Sequence, residues 1–118
     1  MIVLSNILLR YKEDLKSTNP KWIGIRPLFQ GYSFGQVVVA AANNFRHHDE
    51  WARTRKLDAK QKKNIEVISF VLKSYPLSLG ASVQWRRNAC VDLLHLICAN
   101  DFTRLETNLF EFAKAMCI

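Results

Sequence analysis

Glycine and proline are scarce in this chain, and their scarcity limits what it can fold into. The 118 residues contain only four glycines and three prolines. A β-sandwich or barrel needs a turn about every ten residues, and these two residues form many such turns. Apolar residues make up 49% of the chain, which is enough for a packed core and too many for a disordered segment. The sequence therefore predicts an all-α fold: one domain over residues 1–118, built as a bundle of about five helices.

Apolar residues recur three and four positions apart in five segments, which is the spacing of one helix face. One predicted helix lies between a cap at Asp58 and a stop at Pro76. The second predicted helix contains the run VVVAAA, which is apolar on nearly all sides and is typical of a central helix. The other four predicted helices cover about residues 2–16, 34–55, 81–99 and 102–118. The buried stripe predicted for the last of them is Phe102, Leu105, Leu109, Phe112 and Met116.

Several helix ends carry recognisable signals. Ser33 with Gln36, and Thr103 with Glu106, have the spacing of a capping box, in which each residue binds the other's backbone amide. Pro20 ends the first helix because it lacks an amide hydrogen. Residues 19–32 then read as an ordered loop, too apolar for a free linker and expected to lie across the core.

Charge and cysteine content restrict the partners and the compartment. The formal net charge is +7 and the isoelectric point about 9.6, which favours polyanions, acidic proteins or anionic membranes. The three cysteines, Cys90, Cys98 and Cys117, form no C-x-x-C pair, so reduced thiols are expected and a zinc site is not. The apolar start lacks the features of a signal peptide, and no apolar run can span a bilayer. We therefore expect a cytoplasmic protein without membrane attachment or cofactor.

A basic corner follows the second predicted helix, and Asp58 is the only acid in it. Lys60, Lys62 and Lys63 lie in the first turns of the next helix, where the helix dipole disfavours positive charge. Lysines placed against the helix dipole, with no gain in stability to explain them, favour a functional explanation, here binding of an acidic protein or of phosphates. A solvated surface is the alternative. The basic corner consists of Arg53, Arg55, Lys56, Lys60, Lys62 and Lys63.

The segment NNFRHHDEWAR, residues 43–53, contains the densest set of polar and aromatic groups. On a helix, Asn44 and His48 lie in one row with Trp51 and Arg55, while Asn43, His47 and Glu50 form the adjacent row. The first row continues the apolar face of the helix. A buried amide or imidazole needs a partner or costs about 1–3 kcal/mol. A structural polar network of Asn44 and His48 is therefore the first interpretation.

Three other interpretations remain open for this segment. Arg46 and His48 are the residue types that metal-independent RNA cleavage uses, for phosphate charge and for the 2′-hydroxyl proton. His47 and Glu50 have the helical spacing of metal ligands, but no second such pair exists, so no metal site is predicted. The segment can also serve as a protein-binding surface, in which tryptophan and arginine are good anchors.

The fourth predicted helix repeats the pattern faintly. Asn88, Asp92 and His95 share one row, with Trp85 one turn earlier. If this helix packs beside residues 34–55, Asp92 and His95 extend the polar network or share a cleft with His48. Asp92 can equally pair with Arg87 or orient His95.

The motif YSFG, followed by an apolar stretch and NNFRHHDEW, resembles a pattern of small, mostly helical bacterial proteins, some associated with toxin–immunity and phage-defence loci. The resemblance covers residues 32–51. The chain was also compared with the HEPN ribonucleases, which place a histidine four to six residues after an arginine. Arg46 is followed at once by His47 and His48, and seven residues separate Arg87 from His95, so the chain departs from that motif.

The favoured interpretation is a small binding protein of immunity or antitoxin type, which neutralises a toxin by direct contact and is not an enzyme. The alternative is an RNA-binding or RNA-cleaving helical domain that uses Arg46, His48 and His95. A plain oligomerisation module is the third possibility, and the oligomeric state is left open. The residues predicted to contact a protein partner are Arg46, His47, Glu50, Trp51, Arg53, Arg55, Lys56, Lys60, Lys62 and Lys63.

Overall fold

A computed structural model of the chain describes residues 1–16, 19–53, 56–72, 89–99 and 101–117. Over these ranges the fold is all-α, with five longer helices, one short helix and a two-stranded hairpin, so the predicted fold class is confirmed. None of the described helices is long and apolar enough to cross a bilayer. The helices are α1 (Ile2–Asp14), α2 (Asn19–Gly24), α3 (Phe34–Arg53), α4 (Ala59–Leu72), α5 (Cys90–Cys98) and α6 (Phe102–Met116), and the strands are β1 (Leu28–Phe29) and β2 (Tyr32–Ser33).

Helix α3 lies at the centre of the molecule, as its apolar run predicts. It packs against α1, α4 and α5, and also contacts α2 and α6. Val37, Val38 and the alanines 40–42 have no exposed surface. Small side chains on several sides of a helix let neighbouring helices approach it closely, which explains how one helix can contact so many others.

Two of the predicted caps are present with reciprocal hydrogen bonds. The backbone amide of Gln36 donates to Ser33 Oγ (3.3 Å), and the amide of Ser33 donates to Gln36 Oε1 (3.1 Å). Asp58 caps α4 in the same way with Gln61, at 2.8 and 2.9 Å. Both pairs satisfy amide groups that the first turn of a helix leaves without partners.

The start of α6 differs from the prediction. Asp101 is the N-terminal cap, and its carboxylate accepts a hydrogen bond from the amide of Thr103 at 2.9 Å. The capping box predicted for Thr103 and Glu106 is therefore wrong, because Thr103 already lies inside the first turn. Asp101, two residues earlier, caps the first turn instead.

Residues 19–32 do not form the predicted loop. They contain α2, in whose first turn Pro20 is tolerated because no amide hydrogen is needed there. They also contain most of a hairpin, in which Leu28 pairs with Ser33 and Phe29 with Tyr32. Gln30 (φ 51°) and Gly31 (φ 85°) form its two-residue turn, and positive φ at both positions is the requirement for such turns.

Residues 19–32 nevertheless lie across the core, as predicted. Trp22 is 7% exposed and meets Phe112 edge-on, with ring centroids 5.4 Å apart. Gly35 lies where the Trp22 ring crosses α3: a Cβ at that position would stand 2.6 Å from the ring. The sequence therefore places a glycine where an aromatic ring needs direct contact with the helix backbone.

The apolar stripe of α6 is shorter than its spacing predicts. Phe112 and Met116 are buried, and Leu105 and Leu109 are half-buried. Phe102 is 85% exposed, so its predicted core position is wrong. It stands in the first turn of the helix, where no described element covers it.

Four predicted helices extend beyond the described residues. The predicted stop at Pro76 lies outside them, with residues 73–76, and so does residue 118 of the last helix. The helix predicted for residues 34–55 is present as far as Arg53, and residues 54 and 55 lie outside the described ranges. Residues 81–88 of the fourth predicted helix also lie outside them. Of the three cysteines, Cys98 is buried, Cys90 half-buried and Cys117 exposed. Burial raises the pKa of the Cys90 thiol above its ordinary value.

Candidate functional site

Asn44 has no exposed surface, and its side chain links α3 to α5. Its Oδ1 accepts a hydrogen bond of 2.7 Å from the backbone amide of Ala89. Ala89 is the residue immediately before α5, so the amide group of Asn44 satisfies one of the amides that the start of a helix leaves without a partner. The contact is buried and serves the packing of two helices.

His48 takes a different partner from the one its position in the row indicates. Its Nδ1 lies 2.9 Å from the backbone carbonyl oxygen of Asn44, and its Nε2 lies 3.5 Å from Asp49 Oδ1. Because a carbonyl oxygen only accepts, Nδ1 is the donor. The side chain is 22% exposed. His48 is therefore joined to the backbone of Asn44 and not to the Oδ1 atom that holds Ala89.

Of the groups proposed for RNA cleavage, Arg46 and His48 lie on different sides of α3, and His95 lies on α5. Arg46 Nη2 donates to Asn6 Oδ1 on α1 at 3.4 Å. His48 is two residues further along α3, and residues two apart on a helix do not face each other. His95 is exposed and Asp92 half-buried on α5. Trp85 and Asn88, which completed the predicted row, and Arg87, the alternative partner of Asp92, lie outside the described residues.

A groove of about 770 Å³ runs along α3. Its floor is one stripe of that helix: Gln36, Val39, Asn43, His47 and Glu50 succeed each other at steps of three, four, four and three residues. The row of Asn43, His47 and Glu50 recognised in the sequence thus lines the groove, and Gln36 and Val39 extend it by two turns.

The two walls of the groove differ in character. Leu9 of α1 and Ile23 of α2 line it and are 41% and 42% exposed. Lys12 also lines it, with Nζ 5.2 Å from the centre of the Trp22 ring, a cation–π distance. The other wall is the start of α4, which is polar and basic. It contributes Asp58, Lys60, Gln61, Lys63 and Asn64, with Val67 deeper in the groove.

Both carboxylates that line the groove already have partners. Glu50 Oε2 lies 3.2 Å from His47 Nδ1, and Asp58 accepts the amide of Gln61. Lys63 Nζ lies 3.7 Å from Glu66 Oε1. Within the described ranges, Lys60 makes no ion pair. The groove therefore presents more positive than negative charge to an occupant.

Tyr32 connects the hairpin to the same face of α4. Its hydroxyl donates to Glu66 Oε1 at 3.0 Å, and Lys63 Nζ lies 5.8 Å from the centre of its ring. Burial, and then the hydrogen bond to Glu66, raise the pKa of Tyr32 above its ordinary value. The Tyr32 hydroxyl thus donates to Glu66 and holds that carboxylate beside Lys63.

The basic corner is divided by the fold. Lys60 and Lys63 line the groove, whereas Lys62, Lys56 and Arg53 are exposed around it. Arg55 lies outside the described residues. No pattern in the sequence indicates the wall formed by α1 and α2, since residues 19–32 read as a loop and no spacing brings Leu9 beside α4.

The predicted role of Trp51 is wrong. It was expected to anchor a partner, but the indole is 2% exposed and belongs to the core. The same row contains Asn44, which is also buried, so this face of α3 points inward at both positions. The adjacent row, with Asn43, His47 and Glu50, is the one that faces the groove.

The residues of the groove do not form a metal centre. His47 and Glu50 are hydrogen-bonded to each other, and within the ranges given above no three His, Cys, Asp or Glu residues are grouped closely enough to hold a metal ion. Comparison of the chain with protein-family models, with curated proteins and with solved structures found no match.

Proposed function

We propose that this protein binds another protein in the groove along α3 and neutralises it by covering its surface, as an immunity or antitoxin protein does in the cytoplasm. The observation that carries the proposal is the groove itself. It joins an exposed apolar wall, a polar floor and a basic wall in one concave surface. Interfaces between proteins combine apolar contact with a polar, charged rim in this way.

The lysines at the start of α4 support association and not stability. Lys60, Lys62 and Lys63 stand in the first two turns; the first turn itself contains no acidic residue, and Asp58 is the acid at its cap. Positive charge in the first turn of a helix is unfavourable by a few tenths of a kcal/mol per residue. Charges at the rim of an interface chiefly accelerate encounter with a partner of opposite charge. The acidic patch of a toxin would meet these lysines first.

The aromatic residues of the groove favour a protein over single-stranded RNA. Trp22 and Trp51 both line the groove, but they are 7% and 2% exposed. Proteins that bind single strands stack bases on exposed aromatic faces, and these two rings have no such face available. Together with the separation of Arg46 from His48, this argues against an RNA-cleaving site.

RNA binding through charge alone remains the second proposal, and the basic corner favours it. Arg53, Lys56, Lys60 and Lys62 are exposed on neighbouring elements. Binding to phosphates would weaken steeply with salt, because each neutralised phosphate releases a counterion. A gel-shift titration with total RNA at several salt concentrations tests it. A shift at physiological salt that disappears in Lys60→Gln/Lys62→Gln/Lys63→Gln would favour RNA over a protein partner.

The proposed function is tested by co-expression. The products of the genes adjacent to that of this protein are expressed singly in a heterologous bacterium, with and without this protein, and colony formation is counted. We expect one product to be toxic, and this protein to restore growth and to co-purify with it. If no adjacent product is toxic, or if toxicity is unaffected, the immunity proposal is wrong.

A further inference from the structure

We infer that the groove along α3 binds an acidic amphipathic α-helix of the partner protein, with its apolar face on the α1–α2 wall and its carboxylates on the α4 wall. This inference rests on the proposed function and specifies the partner's chemistry. It follows from three properties of the groove: the asymmetry of its walls, the helices that bound it, and its excess of positive charge.

The asymmetry of the walls requires an occupant with two faces. Leu9 and Ile23 are large apolar side chains that leave about two-fifths of their surface exposed on one wall. On the other wall, Lys60 and Lys63 alternate with amide side chains. An occupant that is polar throughout would leave the first wall wet, and one that is apolar throughout would bury the lysines without partners. Only an amphipathic segment satisfies both.

The elements around the groove favour a helix over an extended strand. All its lining residues except Asp58 belong to helices α1 to α4. A bound strand gains its affinity from backbone hydrogen bonds to an exposed sheet edge, and helical walls provide no such edge. A helix satisfies its own backbone and needs only side-chain contacts, so it fits a groove between helices. The floor from Gln36 to Glu50 spans about 21 Å, the length of a helix of about 14 residues.

The charges of the groove select acidic over basic side chains. Lys12, Lys60 and Lys63 line it, against Glu50 and Asp58. Glu50 is bound by His47, and Asp58 is held by the first turn of α4. An aspartate or glutamate of the partner can reach Lys60, which has no ion pair within the described ranges. A basic helix would face three lysines and find both carboxylates occupied.

The test uses a displayed library of helical peptides of about 14 residues, randomised on all faces and selected on the immobilised full chain. We expect enrichment of Asp and Glu on one face and of Leu, Ile and Phe on the opposite face, at spacings of three and four. Selection on Lys60→Gln/Lys63→Gln should lose the acidic enrichment and retain the apolar one. Enrichment of basic peptides, of peptides without helical spacing, or of none would overturn the inference.

The most enriched peptide is then synthesised, and its affinity is measured by fluorescence anisotropy. Lys60→Gln/Lys63→Gln should weaken binding by about tenfold or more, since charge-assisted contacts are lost. Lys16→Gln/Lys114→Gln removes the same charge at exposed positions that do not line the groove, and should change the affinity less than about twofold. Leu9→Ser should also weaken binding, whereas Val3→Ser on the same helix should not. Equal effects in variant and control would contradict the inference.

Co-expression separates this inference from the proposed function. If the protein neutralises a neighbouring toxin and the groove variants still do so, the immunity activity stands, but the groove is not its contact surface and this inference fails. If the acidic peptides bind in the groove but no neighbouring product is toxic, the helix-binding groove stands and the immunity proposal fails. Each variant is first checked by thermal melting, so that a loss of binding is not a loss of folding.

Discussion

Asn44 shows at the scale of one residue why the polar segment of α3 contributes to structure. Its amide is inside the core, and its Oδ1 holds the backbone amide of Ala89 at the start of α5. We expect Asn44→Ala to lower the free energy of unfolding by about 1–3 kcal/mol, since a buried donor loses its acceptor. Urea denaturation measures this loss. Asn43→Ala is the matched control, because Asn43 is only half-buried and lines the groove. An equal loss in both variants would contradict a special role for Asn44.

Gly35 occupies a position where a side chain does not fit. A Cβ at this position would lie 2.6 Å from Trp22 and 2.7 Å from Phe112. Alanine favours a helix over glycine by about 1 kcal/mol, but the overlap with two buried rings should outweigh that gain. We expect Gly35→Ala to be destabilising by about 1–3 kcal/mol, measured by thermal and urea unfolding. Gly24→Ala, where nothing lies within 4 Å, should be neutral. A stabilised Gly35→Ala would show that Trp22 does not rest on α3.

At the scale of elements, α6 tests how far periodicity identifies the core. Phe112 is fully buried against Trp22 and Phe34, while Phe110, two residues earlier, is 63% exposed. Phe112→Ala should lower the free energy of unfolding by about 3–5 kcal/mol, and Phe110→Ala by less than about 0.5 kcal/mol. Both remove the same atoms from the same helix, so urea denaturation compares burial alone. Similar losses in the two variants would mean that α6 is rotated from its described position.

The long helices could be predicted because their apolar residues recur regularly over many residues, whereas the short elements could not. α2 has six residues, fewer than two turns, and therefore provides no period to recognise. The hairpin turns on Gln30 and Gly31, and glutamine is not among the residues that usually signal such a turn. Phe102 matched the spacing of α6, but its exposure depends on where the neighbouring elements end, which spacing does not encode.

The groove was predictable only in part for a related reason. Asn43, His47 and Glu50 could be placed in one row because helical geometry is local. Their surroundings depend on contacts between distant segments: Leu9 and Ile23 reach the groove from elements that the sequence does not connect to α4. Trp51 was expected at the surface because tryptophan is common at interfaces. It lies instead in the core, since its row continues the buried face of α3.

At the scale of the whole molecule, charge opposes compactness. The chain has 17 lysines and arginines against 10 acids. Two ion pairs of lysine or arginine among the described residues, Arg10–Asp14 and Lys63–Glu66, join exposed side chains, and such pairs contribute little to stability. A strong positive field repels itself and attracts acidic partners over distance. The same charge that assists binding should therefore reduce the stability of the protein alone.

Because the positive charge lowers the stability of the protein, its melting temperature should depend on salt. At low ionic strength, Lys60→Gln/Lys62→Gln/Lys63→Gln lowers the formal net charge from +7 to +4, and its melting temperature should equal or exceed that of the wild type, because repulsion and unfavourable dipole contacts are removed. Added sodium chloride screens exposed charges over about 10 Å at 0.1 M. The melting temperature of the wild type should therefore rise more steeply with salt than that of the variant, and the two should converge. Lys16→Gln/Lys114→Gln removes two charges away from the start of α4, and Lys114 stands in the last turn of α6, where positive charge is favourable, so its melting temperature should rise less than that of the triple variant. A variant that melts below the wild type at every salt concentration would show that these lysines stabilise the fold, and would remove the reason for assigning them to a partner.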